Sequence, residues 1–592
     1  QPGAAQAHTG LDPVASLCIQ ITVPAHASVQ TTFATAAATQ RAALETLVDR
    51  YRQPSVIERS TLMSATFAQA RQRDWALPGE ERQALQTLST VLALLHSRPE
   101  APTGTATCEL ACDRRTLWRF GLSGERPLIV VDIAALHGVR LVHALTQGLR
   151  LWTWGALACD VVILNAEPWS YLMPVQMQLL AQRDSYTADV AAAVPARTCG
   201  LQVLHLGDLA PLEQATLRRL ARVRLSADGR PLSHHVAELV QWHDASLAER
   251  TGKSGAGLAL WMDAVAEQPP EGQFDSASGS FRFSVSATRR PSRPWINVLA
   301  NPDFGAHISE AGAGYGWAGN SRLQQLTAWS NDPVADPGGE NFYVQDLHTH
   351  EVWNLGAGAG CAETEYGVEH GRGTTTIRHR RGGVEISATW CVDAVQSLKQ
   401  VRIVLCNLGP RVVHLRTIGT LEWLLGAQRT DRQSVDTAMQ RLPGSASAPT
   451  DVLLATQCDA HGGWGGSTAF LVLHSDGPAG ARLRDWTCDR RELFDARGQR
   501  VFPDRLGARA GPGLDPCAAA STSTTLQPGQ IHGCVFVLGH ALTRAGALAL
   551  AGVCLEQGVL AREAMVRQRW AALLDAVVVD TPDPLFNALT NH

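Results

Sequence analysis

The sequence predicts a multidomain α+β protein, in which a large antiparallel β-sandwich follows a helical segment and a small α/β domain. Its length of 592 residues exceeds what one hydrophobic core can organise and indicates roughly three or four domains. Between about 270 and 540, short apolar runs are interrupted by Gly, Pro, Asn and Asp, which is typical of strands joined by shaped loops. Between 117 and 235, strand-like and helical stretches alternate, which predicts βαβ units.

Composition excludes several classes of function. The apolar content of 45% and charged content of 18% fit a globular protein, and a net charge of −4 gives no electrostatic basis for a nucleic-acid partner. The 13 cysteines include no Cys-x-x-Cys pair, which favours a reducing compartment. Cys108 with Cys112, and the adjacent His234 and His235, lack further ligands at suitable spacing, so we predict no metal site.

The chain ends and the hydropathy pattern suggest a piece of a larger protein. Residues 1–9 show neither an initiator Met nor the charged and apolar regions of a signal peptide. Apolar runs long enough to cross a bilayer, about 18 residues, do not occur. We therefore expect this chain itself to be soluble.

Residues 38–107 are predicted to form a helical segment and a linker. Pro54 and Pro78-Gly79 divide it into about three helices, and residues 97–107 have the composition of a linker. Apolar residues spaced by three and four predict one buried face: Leu44, Leu47, Val48, Tyr51, Leu85, Leu88, Leu92 and Leu95.

Residues 108–250 are predicted to form a small α/β connecting domain, followed by a hinge at 251–269. Its strands are expected at 128–133, 160–164 and 201–206, with helices at 136–157 and 172–194. Asp132, Asn165 and Glu167 fall at strand ends, where parallel sheets often bind ligands, but such residues also cap helices. No glycine-rich phosphate loop follows a strand, so a nucleotide site has little support and capping is the favoured interpretation.

A tetrapeptide repeat links the two ends of the chain. Gly-Leu-Asp-Pro occurs at 10–13 and again at 513–516, and each copy precedes a strand-like stretch, a polar turn, a second strand-like stretch and a helical pattern. We interpret residues 1–37 as the terminal hairpin of a first, truncated sandwich, with strands at 17–23 and 29–35. Residues 270–540 would then be a complete second sandwich, and 541–592 a linker helix.

Within the predicted sandwich, strands are expected at 279–285, 374–380, 384–392, 399–408 and 469–473. Trp390, Leu405 and Trp423 are predicted to lie in its core. The glycine-rich segment 462–466 carries Trp464, which suits either a plain turn or a platform for a sugar ring.

The stretch from Pro294 to Trp353 holds the candidate binding residues, which combine indoles with amide, guanidinium and carboxylate groups: Trp317, Asn320, Arg322, Trp329, Asn331 and Asp332. A sugar stacks its C–H face on aromatic rings while its hydroxyls form directional hydrogen bonds, so these residue types suit a carbohydrate. The alternative is that the tryptophans fill the core and the Asn and Asp residues form turns.

The segments WINVLANPDFG, SEAGAGYGWAGNSR, LTAWSNDPVADPGGE and EVW resemble the N-terminal β-sandwich of glycoside hydrolase family 94, in the version found in bacterial cyclic β-1,2-glucan synthases. The chain departs from that pattern at Thr349-His350-Glu351, where the family usually has Thr-Gly-Glu. The resemblance implies a galactose-mutarotase-like supersandwich. It also implies a following (α/α)6 barrel with the catalytic acid and phosphate-binding residues, and the chain stops at His592, within the first barrel helix at most.

The resemblance implies a non-catalytic portion of a cyclic β-1,2-glucan synthase. In that family a membrane glycosyltransferase extends the glucan from UDP-glucose, and the family 94 part tunes chain length by phosphorolysis. Asp332 and Glu340 lie in predicted loops, so we predict no catalytic residue in this chain. We expect no cofactor, a β-1,2-glucan or related β-glucan as partner, and phosphate and UDP-glucose only through other domains.

The same resemblance allows a homodimer, and it places the protein on the cytoplasmic side of a bacterial inner membrane, tethered through other segments. Two alternatives stay open. The chain could be the front part of a β-glucan or disaccharide phosphorylase, or a stand-alone carbohydrate-binding module. The repeated hairpin favours the synthase, because short phosphorylases would carry one sandwich without a preceding βαβ region.

Overall fold

The computed structural model describes residues 17–74, 77–94, 112–155, 157–191, 199–251, 256–257, 269–275, 278–286, 288–312, 314–332, 338–357, 364–442, 450–475 and 483–591. The predicted linker at 97–107, Cys108 and most of the predicted hinge at 251–269 lie outside these residues, as does the first copy of the tetrapeptide repeat.

The N-terminal segment is exposed in the structure. Described residues 17–39 contain no helix and no paired strand, although a turn closed by the bond from the Ala27 N–H to the Pro24 carbonyl lies where the hairpin turn is predicted. The alternating apolar side chains before that turn are in solvent, Leu17 with 76% and Val23 with 55% exposed. Strand pairing needs a neighbouring strand and a face to pack on, so the two predicted strands are not formed here.

The three predicted helices are present: α1 (Arg41–Tyr51), α2 (Pro54–Asp74) and α3 (Gly79–Leu94). The buried face is confirmed on α3, where Leu85, Leu88 and Leu92 are at most 1% exposed. For α1 that prediction is wrong, because the helix has no buried residue. The reason is tertiary: α3 packs against helices of the α/β unit, whereas α1 lies against α2.

The α/β unit alternates strands and helices as predicted. Its elements are β1 (Leu128–Ile133), α4 (Val139–Trp154), β2 (Asp160–Asn165), α5 (Pro174–Ala191), β3 (Gly200–His205), α6 (Pro211–Leu220), β4 (Ala221–Ser226) and α7 (Leu232–Thr251). The strands form a parallel sheet in the order β3-β2-β1-β4. Helix α6 and strand β4 are not among the predicted elements, because Arg222 and Arg224 interrupt the apolar pattern of that strand.

The polar residues at the strand ends cap and brace the unit. Glu167 accepts hydrogen bonds from the N–H groups of Val175 (3.1 Å) and Gln176 (2.9 Å) at the start of α5. Asn165 accepts from the Glu167 N–H at 3.0 Å, and Asp132 lies 3.7 Å from Arg218. These contacts support the capping interpretation.

The second half of the chain is built from antiparallel strands, which follow one another as β5 (Ala256–Gly257), β6 (Gly272–Asp275), β7 (Ser280–Val285), β8 (Asn297–Ala300), β9 (Phe304–Ile308), β10 (Gly314–Ala318), β11 (Gln325–Thr327), β12 (Glu340–Asp346), β13 (Val352–Asn354), β14 (Tyr366–Gly371), β15 (Thr374–Arg381), β16 (Val384–Val392), β17 (Leu398–Asn407), β18 (Val413–Gly426), β19 (Val435–Leu442), β20 (Thr450–Gln457), β21 (Thr468–Ser475), β22 (Asp485–Asp489), β23 (Val501–Phe502), β24 (Pro516–Leu526) and β25 (Ile531–Ala541). All the predicted sandwich strands are found, with ends shifted by at most two residues.

These strands form two large sheets. One runs in the order β13-β12-β10-β11-β18-β24-β22, with β9 and β8 attached beside β10. The other runs β19-β20-β21-β25-β17-β16-β15-β14-β7-β6, and β5 pairs with β23. Apolar side chains from both sheets interdigitate in one core, which includes the predicted core residues Trp390, Leu405 and Trp423, each at most 1% exposed.

The sequence analysis placed Glu340 in a loop, and this is wrong. Glu340 begins β12, is 1% exposed, and forms an ion pair with the equally buried Lys399 of β17. A carboxylate can be buried there because an opposite charge and a hydrogen bond compensate its desolvation. Lys399 is one of two lysines in a chain with 51 Lys and Arg residues.

The α/β unit is attached to the sandwich by a polar joint around Cys112 and Arg114. Cys112 exchanges backbone hydrogen bonds with Cys458 (3.1 Å) and Ala460 (2.7 Å) of the sandwich. Arg114, 6% exposed, pairs with Asp459 and with Asp431, the latter at 3.1 Å. Buried charges with fixed partners tolerate little displacement, so this joint holds the two units in one orientation.

The C-terminal region holds two helices where one long linker helix was predicted. These are α8 (Arg544–Glu556) and α9 (Val559–Leu574), bent by 99° relative to each other, and α10 (Pro584–Asn591) follows. Gln557 at the bend has extended backbone dihedrals, and buried Arg562 donates to the Cys554 carbonyl across it. Among the described helices, none is by itself long and apolar enough to cross a membrane, and only α8 with α9, taken together despite their bend, meets that length and composition.

Candidate functional site

An aromatic cluster lies on the outer side of β10. Because side chains alternate along a strand, Tyr315 and Trp317 share the face that points away from the sandwich core, and neither belongs to the core cluster. Trp329 stacks on Tyr315 with ring centroids 4.6 Å apart and planes at 4°, and the Tyr315 and Trp317 rings are 5.1 Å apart. Both indoles are half-buried, so part of each remains accessible.

The neighbouring strand β9 shapes this cluster. Gly305 is the register partner of Trp317, and a Cβ added to it would lie 2.2 Å from the Trp317 ring, so the indole rests directly on the glycine backbone. The His307 ring lies 4.7 Å from Tyr315 and 5.1 Å from Trp329. Burial, with a smaller contribution from the Lys399 ammonium, lowers the pKa of His307 to about 4, so this ring is neutral at neutral pH.

A buried polar network lies beneath the cluster, on the core side of β10. The Gly316 N–H donates to the Thr327 hydroxyl at 2.8 Å, and that hydroxyl donates to Glu340 at 2.7 Å. Glu340 in turn pairs with Lys399, whose pKa burial lowers. The network connects the strand that carries Tyr315 and Trp317 to both sheets, and so holds the aromatic rings in place.

The loop after β10 is a closed turn. The Asn320 side chain accepts from the N–H groups of Arg322 (3.0 Å) and Leu323 (2.9 Å), and the Tyr315 hydroxyl donates to the Ser321 carbonyl at 3.4 Å. Asn320 therefore has the turn-forming role of the alternative interpretation. The exposed Arg322 side chain has no hydrogen bond or ion pair to any described residue, so its donors are available.

Asn331 and Asp332 follow Trp329 directly. Asn331 is exposed and has a left-handed backbone with φ of 54°, a conformation that Asn tolerates better than most residues. The Asp332 N–H donates to the Ser330 hydroxyl at 3.3 Å, and its side chain is half-buried. Trp329 forms an isolated antiparallel bridge with Gly338, which closes the loop that these residues begin.

Four of the six predicted residues fall into two groups. Trp317 and Trp329 meet in one cluster outside the core, whereas the hydrogen bonds of Asn320 and the left-handed backbone of Asn331 are explained by turn formation. Arg322 and Asp332 belong to neither group. Sequence reasoning missed Tyr315, which joins the two indoles, and His307. The period of two in Tyr315-Gly316-Trp317 is the signal that would have placed Tyr315 beside Trp317.

A third indole borders the loop. Half-buried Trp464 lies against Gly319, where an added Cβ would be 3.3 Å from its ring. Its segment is a turn in which Gly462, Gly463 and Gly466 have positive φ. The segment is a turn, as predicted, and Trp464 lies beside the loop that follows β10. Its use as a platform for a sugar ring stays a prediction.

We found no group of three or more His, Cys, Asp or Glu side chains placed to hold a metal ion in the described part of the chain. The exposed His234 lies 3.1 Å from Glu238, whereas His235 is buried against the α/β unit. The two rings are nearly perpendicular, at 85°.

The family comparison decides the relationship of this chain. The supersandwich domain of glycosyl hydrolase 94 matches residues 3–54 and 280–555, more than half of the sequence. The chain belongs to this family. Each of the two matched parts contains one copy of the Gly-Leu-Asp-Pro repeat. The match confirms the predicted supersandwich and the resemblance to family 94.

Two curated relatives are carbohydrate enzymes. The chain is 25% identical over 622 aligned positions to cyclic β-(1,2)-glucan synthase NdvB of Rhizobium meliloti, which covers 100% of this chain and 21% of that protein. It is 26% identical over 157 positions to solabiose phosphorylase of Paenibacillus borealis, covering 26% of this chain and 20% of that protein. The chain thus spans about a fifth of the length of these relatives.

Solved structures include galactose-mutarotase-like folds. A galactose mutarotase-like protein from Lactobacillus casei aligns over 42% of this chain and 100% of its own length, with 10% identity and a TM-score of 0.25. The sheet topology and the family match give a mixed fold class, with helices, a small parallel sheet and a large antiparallel supersandwich.

Proposed function

We propose that this chain is a non-catalytic, glucan-contacting portion of a cyclic β-1,2-glucan synthase. The observation that carries the proposal is the extent of the two alignments. Similarity to the synthase runs through the helical segment, the α/β unit and the supersandwich, whereas similarity to the phosphorylase covers 26% of the chain. An unrelated carbohydrate-binding module would share neither the order nor the length of these parts.

In this proposal, the cluster of Trp317, Tyr315 and Trp329 offers the stacking surface for glucose rings. Its accessible indole parts supply apolar contact, and the Arg322 guanidinium beside the same loop is free to donate to hydroxyl groups. A neutral His307 and an internally paired Glu340 leave no unbalanced charge behind the rings. Such a surface suits a neutral polymer.

The proposal extends to the arrangement of the whole protein. Residues 1–37 would complete a first sandwich, 38–107 and 108–250 would connect the two, 251–269 would be a hinge, and 541–592 would lead to the catalytic barrel. UDP-glucose and phosphate would bind to other domains, and the protein would be tethered at the cytoplasmic side of an inner membrane. A homodimer would bring the loop of one copy to the barrel of another.

A second candidate is the front part of a disaccharide or β-glucan phosphorylase. The solabiose phosphorylase alignment supports it, since phosphorylases share the supersandwich. Under that alternative the chain would favour a short sugar over a long glucan, because a disaccharide enzyme has no use for contacts with a polymer.

The test is titration of the 592-residue chain with linear β-1,2-glucan, sophorose and a β-1,4-linked glucan of equal length. We expect preference for the long β-1,2-glucan, and about fivefold to tenfold weaker binding for Trp329→Ala, as loss of one stacking contact implies. Arg322→Ala should weaken binding less, and Trp154→Ala, an exposed indole of the α/β unit, serves as the matched control.

Two results would contradict the proposal. The first is equal affinity of Trp329→Ala and Trp154→Ala for the glucan. The second is release of glucose 1-phosphate from β-1,2-glucan and phosphate by the purified chain, which would show that a catalytic site lies within it. Stronger binding of sophorose than of long glucan would favour the phosphorylase alternative.

A further inference from the structure

A cavity of about 400 Å³ opens at the carboxyl edge of the parallel sheet, beside the strand-end residues Asn165 and Glu167. Its lining combines aromatic and hydrogen-bonding side chains: Arg119, Phe120, Trp169, Gln176, His205 and Asp208. This edge is where open α/β sheets bind ligands, because loops from several strands meet there. The volume lies in the range of small-molecule sites.

Trp169 is the prominent group of this cavity, because it is exposed and yet held in place. Its indole is 67% exposed, and its other side lies on the His205 ring with centroids 4.0 Å apart. That ring is fixed at both nitrogens: Nε2 lies 2.8 Å from the Glu167 carbonyl, and Nδ1 accepts from the Gly207 N–H at 3.2 Å. An apolar ring supported in this way binds a planar ligand face with little loss of conformational entropy.

The positive charges around the cavity are already compensated. The N-terminus of α5, which could attract an anion, is occupied by the Glu167 carboxylate. Arg119 pairs with Glu213 at 2.6 Å and lies over the Phe120 ring at 4.5 Å. These contacts leave no surplus positive charge at the described lining residues for a phosphate group. The available chemistry is stacking and hydrogen bonding, with the exposed Asp208 carboxylate as one acceptor.

Aromatic residues continue from this cavity to the supersandwich. Trp118, 56% exposed, precedes the lining residue Arg119 and meets the His461 ring edge-on at 6.1 Å. His461 begins the glycine-rich turn that presents Trp464, and Trp464 lies against Gly319 at the loop of Trp317 and Trp329. Two contacts, joined by short stretches of chain, therefore connect the two aromatic surfaces across the joint of the α/β unit with the sandwich.

The joint itself makes this connection rigid. The backbone bridge between Cys112 and the 458–460 segment, and the buried pairs of Arg114, lie immediately before Trp118 on one side and His461 on the other. Both rings are thus anchored within a few residues of a fixed contact. A polymer that spans the joint would meet surfaces at a constant separation, which is the condition for two weak sites to act together.

We propose that the α/β unit carries a second glucan-binding site, in which Trp169 and Trp118 stack on sugar rings, continuous with the aromatic loop of the supersandwich. The class of ligand rests on the proposed function, whereas the place of the site rests on the cavity and its exposed rings. The ligand is a neutral chain of pyranose units long enough to cross the joint. A single sugar or a disaccharide would reach only one end.

The location of the site can be tested without substitutions. Hydroxyl-radical footprinting of the 592-residue chain, read by mass spectrometry, reports the accessibility of each indole with and without saturating linear β-1,2-glucan. We expect protection of Trp169 and Trp118 by long glucan and none by sophorose. Trp154, 48% exposed at the end of α4 and therefore at the opposite edge of the sheet, should stay equally reactive in all samples.

Titration of variants supplies the energetic test. Trp169→Ala should weaken binding of long glucan about fivefold to tenfold and leave binding of sophorose unchanged. Because the indole of Trp169 is exposed, the variant should fold, and thermal unfolding compared with Trp154→Ala checks this. Trp118→Ala should also weaken the binding of long glucan. The affinity lost by the double variant should be little more than the affinity that a chain gains by binding both sites at once.

The outcomes separate this inference from the proposed function. Protection of Trp329 without protection of Trp169 and Trp118, with unchanged affinity of Trp169→Ala, would overturn the second site and leave the first. Protection of Trp169 without Trp329 would retain the second site and refute the loop. Absence of glucan binding would refute both proposals. Protection of Trp169 by a protein partner, but by no glucan, would refute glucan as the ligand of this site and indicate a protein in its place.

Discussion

Substitution of Glu340 by Gln should destabilise the part of the supersandwich that carries the aromatic loop. The Lys399 and Glu340 side chains are 1% and 2% exposed, so water cannot replace either partner. In the native protein the Thr327 hydroxyl lies 2.7 Å from the Glu340 carboxylate. Gln preserves the size of the side chain and still offers an oxygen acceptor to this hydroxyl. The change therefore removes the charge alone and leaves the ammonium of Lys399 buried without a counter-ion.

The expected cost is about 3–5 kcal/mol, the range for breaking a buried ion pair by removing one partner. Lys399→Met should cost a similar amount by leaving the carboxylate unpaired. The double variant should recover most of the loss, because two neutral side chains of similar volume need no compensation. The specific prediction is that the double variant is destabilised by less than the sum of the two single variants; the size of either single effect is secondary.

Hydrogen exchange read by mass spectrometry is the suitable assay, because a chain of several units does not unfold in one step. Peptides from β10, β12 and β17 should exchange about 100-fold faster or more in Glu340→Gln, while peptides from the parallel sheet of the α/β unit serve as the internal control. Additive effects in the double variant, or unchanged exchange in β10, would refute the reasoning that the pair supports the strand of Tyr315 and Trp317.

Two further predictions concern the same surface. The folded-state pKa of His307 is about 4 against an ordinary value of 6.5, so the unfolded chain binds more protons between these values, and stability should fall as pH falls from about 6.5 to 4. His307→Asn should remove roughly 3 kcal/mol of that loss. The measurement is the pH dependence of hydrogen-exchange protection in peptides from β9, corrected for the intrinsic exchange rate, and an identical slope in the variant would contradict the prediction. Gly305→Val should displace the Trp317 indole, since even a Cβ there would lie 2.2 Å from the ring; we expect weaker glucan binding with a red-shifted tryptophan emission. Gly552→Val in α8, where the backbone is helical and an added Cβ meets no atom within 4 Å, should leave both unchanged.

The sequence predicts the elements of this fold better than their burial. Strands β15, β16 and β17 are found almost at their predicted ends, because alternation along a strand directly reflects its two faces. The same argument fails for α1, whose apolar residues follow the helical period as those of α3 do. Periodicity identifies a face that can be buried, but only the tertiary structure determines whether another element covers it, and here α7 and α4 cover α3.

For the candidate site, residue types indicate the right surface but not its construction. Trp317 and Trp329 were identified from composition, yet the ring that joins them, Tyr315, depends on strand geometry. Trp169 could not be identified in this way. Its support by His205 depends on two neighbouring parallel strands, which the sequence brings together only through a crossover helix.

The joint at Arg114 also has a consequence for biosynthesis. Its partner Asp459 lies 345 residues further along the chain. At a translation rate of about 5–20 residues per second, roughly 20–70 seconds separate the synthesis of the two residues. During this interval the α/β unit can form its own sheet, while the segment around Arg114 must stay open to receive strands that do not yet exist. The α/β unit is synthesised first, but the contacts of its segment around Arg114 form only when the supersandwich folds.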